Sequence, residues 1–197
     1  FDGQVVRQNS ELADLIGQFV KVRLVHMRDI DLAQFQFDYD LTWAVVFLNT
    51  DGTVYGRYGS RSAEGPMAYN SIPSLKRAME RVLDLHQDYP ANRSHLVGKN
   101  QPNPRWKRAK EIPGLRERMQ KQLNQPVGPR NCIHCHNIYD GWRNTAYDQG
   151  TFKTEDLWLY PLPENIGLKI DVDEGNVIES VLLNPATMGI DLKVGDQ

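Results

Sequence analysis

Cysteine is scarce in this chain, with two residues among 197. That is too few for a disulfide scaffold. No stretch approaches the roughly 20 consecutive apolar residues that cross a bilayer as a helix. Neither sign of charge dominates, and a net charge of −2 excludes a general affinity for nucleic acid. With 40% hydrophobic and 24% charged residues, the composition is neither collagen-like, disordered nor coiled-coil. The chain also lacks a Walker loop, a dinucleotide glycine fingerprint, a nucleophile-elbow serine and a His-Glu-x-x-His phrase. Its length admits one large domain or two small ones with a real core. It opens at Phe1 without an initiator Met, a basic leader or an apolar leader. The expectation is a processed mature protein or a fragment, with any signal or anchor upstream of residue 1.

Charge divides the chain into three parts. Residues 1–97 hold 10 Lys+Arg against 12 Asp+Glu, residues 98–139 hold 9 against 2, and residues 140–197 hold 4 against 11. The basic middle part carries Pro102, Pro104, Pro113, Pro126 and Pro129, which break any long helix. It reads as a wrapping or linking segment with a short helix near Leu115–Leu123.

The first part alternates helix and strand signals. Asn9 or Ser10 can cap a helix bearing Leu12, Leu15, Ile16 and Phe19. Phe19–Val25 is rich in strand formers, and Thr42–Leu48 is a continuous apolar run, as in a strand buried on both faces. Asn49-Thr50-Asp51-Gly52 turns into Thr53–Tyr58, which predicts a hairpin. Pro73 suits the first turn of a helix whose Leu75, Ala78, Met79, Val82 and Leu85 form one apolar face. The predicted order is helix, strand, strand, strand, helix.

That order, with the phrase running from Trp43 through Asn49-Thr50-Asp51-Gly52 to Gly59, resembles the thioredoxin fold over residues 1–90. The family carries a Cys-x-x-Cys at the start of its first helix and a cis-proline before the buried strand. Here the corresponding dipeptide is Thr42-Trp43, and the stretch that would hold the cysteine pair lies before Phe1. The resemblance therefore implies a binding or scaffolding module without visible thiol–disulfide machinery.

The last part, residues 161–197, resembles the first half of a bacterial PDZ domain. Asn165-Ile166-Gly167-Leu168 precedes the alternating Lys169–Val172, then Val177–Val181, then Asn184-Pro185-Ala186-Thr187-Met188-Gly189 and Val194-Gly195-Asp196. Asn184 stands where that family has Ser, and Ile190-Asp191 interrupts its Gly-Leu step. The resemblance implies that Ile166, Gly167 and Leu168 receive a peptide or protein C-terminus on backbone N–H groups. It also implies further strands, supplied beyond residue 197 or by another chain.

Both cysteines fall in one phrase, Cys132-Ile133-His134-Cys135-His136. Two cysteines scattered over this length lie three apart about 1% of the time, so the spacing is informative. The phrase resembles the haem-attachment motif of c-type cytochromes. Two thiols at that separation reach the two vinyl groups of one porphyrin as thioethers, and His136 is then placed to offer an axial imidazole to the iron. Other uses of the same residues stay open. Zinc could be held by Cys132, Cys135, His136 and a distant histidine. A redox-active dithiol usually opens a helix after a strand, whereas Pro126–Asn131 reads as a loop. An inert disulfide is the plainest alternative.

For the sixth position on the iron, the sequence puts His95 first, because the loop Asn92–Leu96 can swing without disturbing a regular element. Met119 and Met188 are alternatives, with His26, His86 and Met27 behind them. Arg105, Lys107, Arg108, Arg116, Arg118 and Arg130 are candidate partners for haem propionates. Trp106, Trp142 and Trp158 are candidate packing surfaces.

The resulting expectation is an α/β (α+β) chain in three parts. A thioredoxin-like domain (1–90) would be followed by an irregular haem c-binding connector (91–160) and a partial PDZ-like tail (161–197). Its function would be that of an exported, periplasmic monohaem cytochrome. It would carry electrons to a redox protein or serve a membrane-associated complex, rather than act as an enzyme itself. The alternatives are a zinc-binding adaptor, or a thiol–disulfide oxidoreductase whose catalytic cysteines lie upstream of residue 1.

Overall fold

A computed structural model describes residues 10–41, 43–61, 64–65, 67–98, 105–128, 131–154, 162–182 and 189–197. The architecture is mixed α+β with two small antiparallel sheets. After a 3-10 turn at Ser10–Leu12 come α1 (Ala13–Ile16), β1 (Val45–Leu48), β2 (Val54–Tyr58) and α2 (Ile72–Gln87). The basic part holds α3 (Pro113–Arg118), α4 (Gln120–Asn124) and the start of α5 (Cys135–Asp148). The tail holds β3 (Leu168–Ile170) and β4 (Ile178–Val181).

The predicted hairpin and the predicted second helix both form. Val45 pairs with Tyr58 and Phe47 with Gly56, and the turn closes through Asn49 N–H to Thr53 O at 2.9 Å. Gly52 takes φ +84° there, a conformation that side chains rarely adopt. Ser71 caps α2 by accepting the Ser74 N–H at 3.1 Å, and Pro73 sits in the first turn. Leu75, Met79 and Val82 then bury one helical stripe against Leu12, Trp43, Phe47 and Tyr55. Each such burial contributes about 1.5–3 kcal/mol.

One strand expectation fails and a second is met only in part. Phe19–Val25 forms no strand, and Val20 is 94% and Val22 78% exposed. High strand propensity reflects packing on a sheet, and no described residue pairs with this backbone as a ladder partner. The run from Thr42 is a strand only over Val45–Leu48, with Thr42 itself outside the described residues. Only Phe47 of that strand is buried, because β1 and β2 make a two-stranded sheet covered by α2 on one side.

A second core lies around the basic part. Met27, Leu32, Phe37, Tyr39 and Leu41 pack with Ala109, Ile112, Leu115, Ile133 and Ile138. Residues 27–41, which the sequence groups with the first domain, thus share a core with the cysteine-bearing segment. That segment is a folded helical unit rather than an irregular connector. Helices α3 and α5 touch backbone to backbone. A Cβ on Gly114 would stand 2.6 Å from Gly141 O, and one on Gly141 would stand 2.7 Å from the Leu115 Cβ. The Gly114 N–H donates to Thr145 Oγ1 at 2.9 Å, closing the contact.

In the tail, Leu168 pairs with Val181 and Lys169 with Ser180. The connecting turn is held by Asp171 Oδ1, which accepts the N–H groups of Asp173 and Glu174. The hairpin leans on α2 through Ser71 Oγ to Val172 O at 3.2 Å and an Arg77–Glu174 ion pair. The stretch Asn184-Pro185-Ala186-Thr187-Met188 lies outside the described residues.

Candidate functional site

The cysteine motif straddles a helix start. Asn131 staples the approach loop by accepting the Gly128 N–H on Oδ1 at 2.6 Å and donating to Pro126 O. Cys132 follows, half-buried, with its thiol 3.4 Å from Gly128 O. Ile133 drops into the second core with no exposed surface. His134 is the extended residue before α5, and its N–H donates to Asn137 Oδ1 at 2.8 Å. Cys135 is the first residue of α5 and His136 the second.

The two thiols are both free and half-buried. Burial pushes the Cys135 thiol above its ordinary pKa, with a backbone hydrogen bond pulling weakly the other way. That direction is opposite to the lowered pKa of a redox dithiol's reactive thiol, although the pair does sit at a helix start as such dithiols do. The His136 side chain is 58% exposed. Its Nδ1 lies 3.8 Å from Asp140 Oδ2 and 3.4 Å from Asn137 Nδ2, and its ring stacks on His134 at 5.7 Å. A carboxylate behind Nδ1 is the usual means of orienting an imidazole whose other nitrogen binds a metal.

The remaining candidates scatter. His95 lies in a 3-10 turn, Arg93–Leu96, whose Leu96 belongs to the hairpin–α2 core. Among the described residues, no hydrogen bond, ion pair or ring contact joins His95 to the motif. His86 accepts or donates a 2.7 Å bond with the Tyr55 hydroxyl through Nδ1. Met119 packs against the second core, as Cys135 does, and lines a groove of about 200 Å³ with Asn137, Asp140 and Gly141. Met188, Trp158 and Arg130 fall outside the described residues. In the tail, the Gly167 N–H is already spent on Glu164 O at 3.0 Å, while Ile166 is exposed and Leu168 opens β3.

Three of the six expected propionate partners are committed elsewhere. Arg118 forks onto both oxygens of Asp148 at 3.0 and 3.1 Å, Lys107 faces Asp31 at 3.5 Å, and Arg105 donates to Gln149 and covers Trp106. Trp142 points inward, its ring edge-on to Tyr39 at 5.0 Å, and Trp106 packs on the same core.

Sequence reasoning placed His26 and Met27 behind His95, Met119 and Met188 for the sixth position, and it did not name Tyr139 or Arg143. The Met27 N–H donates to Ile133 O at 2.6 Å, which sets His26 and Met27 beside the cysteines. Tyr139 and Arg143 lie one and two turns beyond His136 on α5, with the Arg143 guanidinium 5.2 Å above the Tyr139 ring. Helical spacing from His136 was the available signal for both.

The residues therefore form two free thiols and an exposed imidazole at a helix start, with a carboxylate 3.8 Å from its Nδ1. That donor set fits covalent haem c, since thioether formation consumes two free thiols and an axial ligand must be exposed beside them. No family model, no curated protein and no solved structure matches the chain.

Proposed function

We propose that the chain is a c-type haem protein that carries electrons outside the cytoplasm, alone or as an accessory subunit of a larger redox complex. The observation that carries the reading is the helix start Cys132–His136, where both thiols are free and His136 is exposed with Asp140 behind it. Cys132 and Cys135 would hold the cofactor and His136 would be its axial ligand. A bound haem c supplies reversible one-electron exchange at iron. The protein's own part is to fix the attachment segment, which it does by burying Ile133 and closing α5 on α3. It also turns the His136 imidazole outward and sets a carboxylate beside Nδ1.

Haem c is attached outside the cytoplasm, so this function carries a periplasmic or otherwise exported location with it. The thioredoxin-like part and the PDZ-like tail would supply the docking surfaces, for a redox protein or membrane-associated complex and for a peptide C-terminus respectively. The hairpin β1–β2 with α2 packed on it, and the β3–β4 hairpin following Gly167, are compatible with those two resemblances. His95 belongs to the turn packed on the hairpin–α2 core, whereas Met119 shares a groove with Asp140, the neighbour of His136. His136 is the axial ligand of this reading, and Met119 stays a candidate for the sixth position.

The test is an absorbance spectrum of protein coexpressed with haem-attachment machinery. Sharp reduced α and β bands that survive acid–acetone extraction are the expected result. A colourless protein overturns the reading, and stoichiometric zinc without iron would replace it with a zinc-binding adaptor.

A further inference from the structure

His136, Tyr139 and Arg143 share one face of α5. Positions i, i+3 and i+7 fall within about 60° of one another at 100° per residue. Arg143 stands about 10.5 Å along the axis from His136. Its side chain leans one turn back toward the motif, because the guanidinium carbon sits 5.2 Å above the ring of Tyr139.

The charge around Arg143 is unbalanced. Its Nε is buried and has no hydrogen-bond partner among the described residues. No ion pair reaches its guanidinium among those residues either, whereas Arg118, Lys107 and Arg28 all have acceptors. The surroundings are otherwise acidic. Asp38 and Asp40 from the segment packed on α5, together with Asp140, all act on the Tyr139 phenol. Asp40 has Arg61 at 3.9 Å, and Asp140 faces His136. A cofactor carrying two carboxylates would be repelled by this face unless a cation received one of them. A planar guanidinium does so with two parallel hydrogen bonds.

We propose that Arg143 is the propionate-binding residue of this site: its guanidinium, lying over Tyr139, receives a carboxylate of the haem attached at Cys132 and Cys135. The proposal rests on the haem c reading above. It assigns to Arg143 the role that the sequence gave to Arg105, Lys107, Arg108, Arg116, Arg118 and Arg130.

The test compares wild-type holoprotein with Arg143→Gln and Arg143→Lys, each coexpressed with haem-attachment machinery. The measurements are covalent haem content, reduction potential and the vibrational frequency of the propionate bend. All three proteins are expected to carry haem. Removing the cation disfavours the more negative, reduced state, so Arg143→Gln should lower the reduced-to-oxidised ratio at a fixed poise by about tenfold, ~59 mV for one electron. Its propionate band should move as well. Arg143→Lys should restore most of the potential but not the band, since a point charge replaces a fork. Haem-loaded Arg143→Gln with unchanged potential and unchanged band overturns the assignment and leaves the haem reading standing. Absence of covalent haem from the wild type overturns both.

Discussion

The backbone N–H of Met27 donates to the carbonyl oxygen of Ile133, the residue between the two cysteines, at 2.6 Å. That bond fastens a segment from the first part of the chain to the motif. The Ile133 side chain, fully buried among Met27, Leu32, Ile112 and Ile138, completes the anchor. The two thiols are thereby presented from a fixed backbone rather than a loose loop.

Ile133→Ala should therefore act on the motif unit. Truncating a fully buried isoleucine costs about 2–5 kcal/mol. Denaturant unfolding followed by the fluorescence of Trp142 and Trp106 should show that loss. Amide exchange in α2, which belongs to the other core, should change far less.

The α3–α5 contact gives a sharper steric prediction. Gly114→Ala would put a methyl 2.6 Å from both Gly141 O and Thr145 N, atoms of the backbone that cannot turn aside. Such overpacking typically costs about 1–3 kcal/mol or more. Gly150→Ala meets nothing within 4 Å, so its cost is that of its φ of +64° alone. Midpoints of thermal unfolding for the two variants should separate in that order.

Tyr55 joins β2 to the end of α2 through its 2.7 Å bond with His86 Nδ1. Tyr55→Phe removes the hydroxyl from that nitrogen, and because His86 is exposed and water can take its place the cost is about 0.5–1.5 kcal/mol. The loss should appear in exchange from α2 and the hairpin. Covalent haem content, which depends on the other core, should stay at the wild-type level.

Acid titration should single out Asp51. The Tyr89 hydroxyl, then the Thr53 backbone N–H, hold its carboxylate down to about 2. A depressed folded pKa means that the associated stability is present above the ordinary aspartate value of about 3.9 and is lost as pH falls toward 2. Carboxyl chemical shifts followed by NMR should place the Asp51 midpoint near 2 in wild type. In Tyr89→Phe that midpoint should climb toward the ordinary value. An unmoved midpoint would show that Tyr89 does not set it.

What was legible in the sequence follows a physical divide. Local signals came through: Pro73 marked the first turn of α2, the spacing of Leu75, Met79 and Val82 marked its buried stripe, and Asn49–Gly52 marked the hairpin turn. The motif was legible because its residue types and spacing are local. Long-range packing was not. Met27, Leu32, Phe37, Tyr39 and Leu41 follow neither a helical nor a strand period throughout, so nothing local said that they share a core with Ile133 and Ile138. Gly114 and Gly141 were silent because a close approach of two helices is a property of the pair. Phe19–Val25 misled for the opposite reason, as its strand propensity is real but needs a sheet edge that no described residue supplies.

The most direct measurement is the mass of the proteolytic peptide carrying Cys132 and Cys135, from protein exported alongside haem-attachment machinery. The account predicts one covalently bound haem on that peptide. It also predicts that the haem is absent when both cysteines are changed to alanine, with the amide exchange of α2 preserved. Recovery of the wild-type peptide with two unmodified thiols, from a folded and colourless protein, would contradict it.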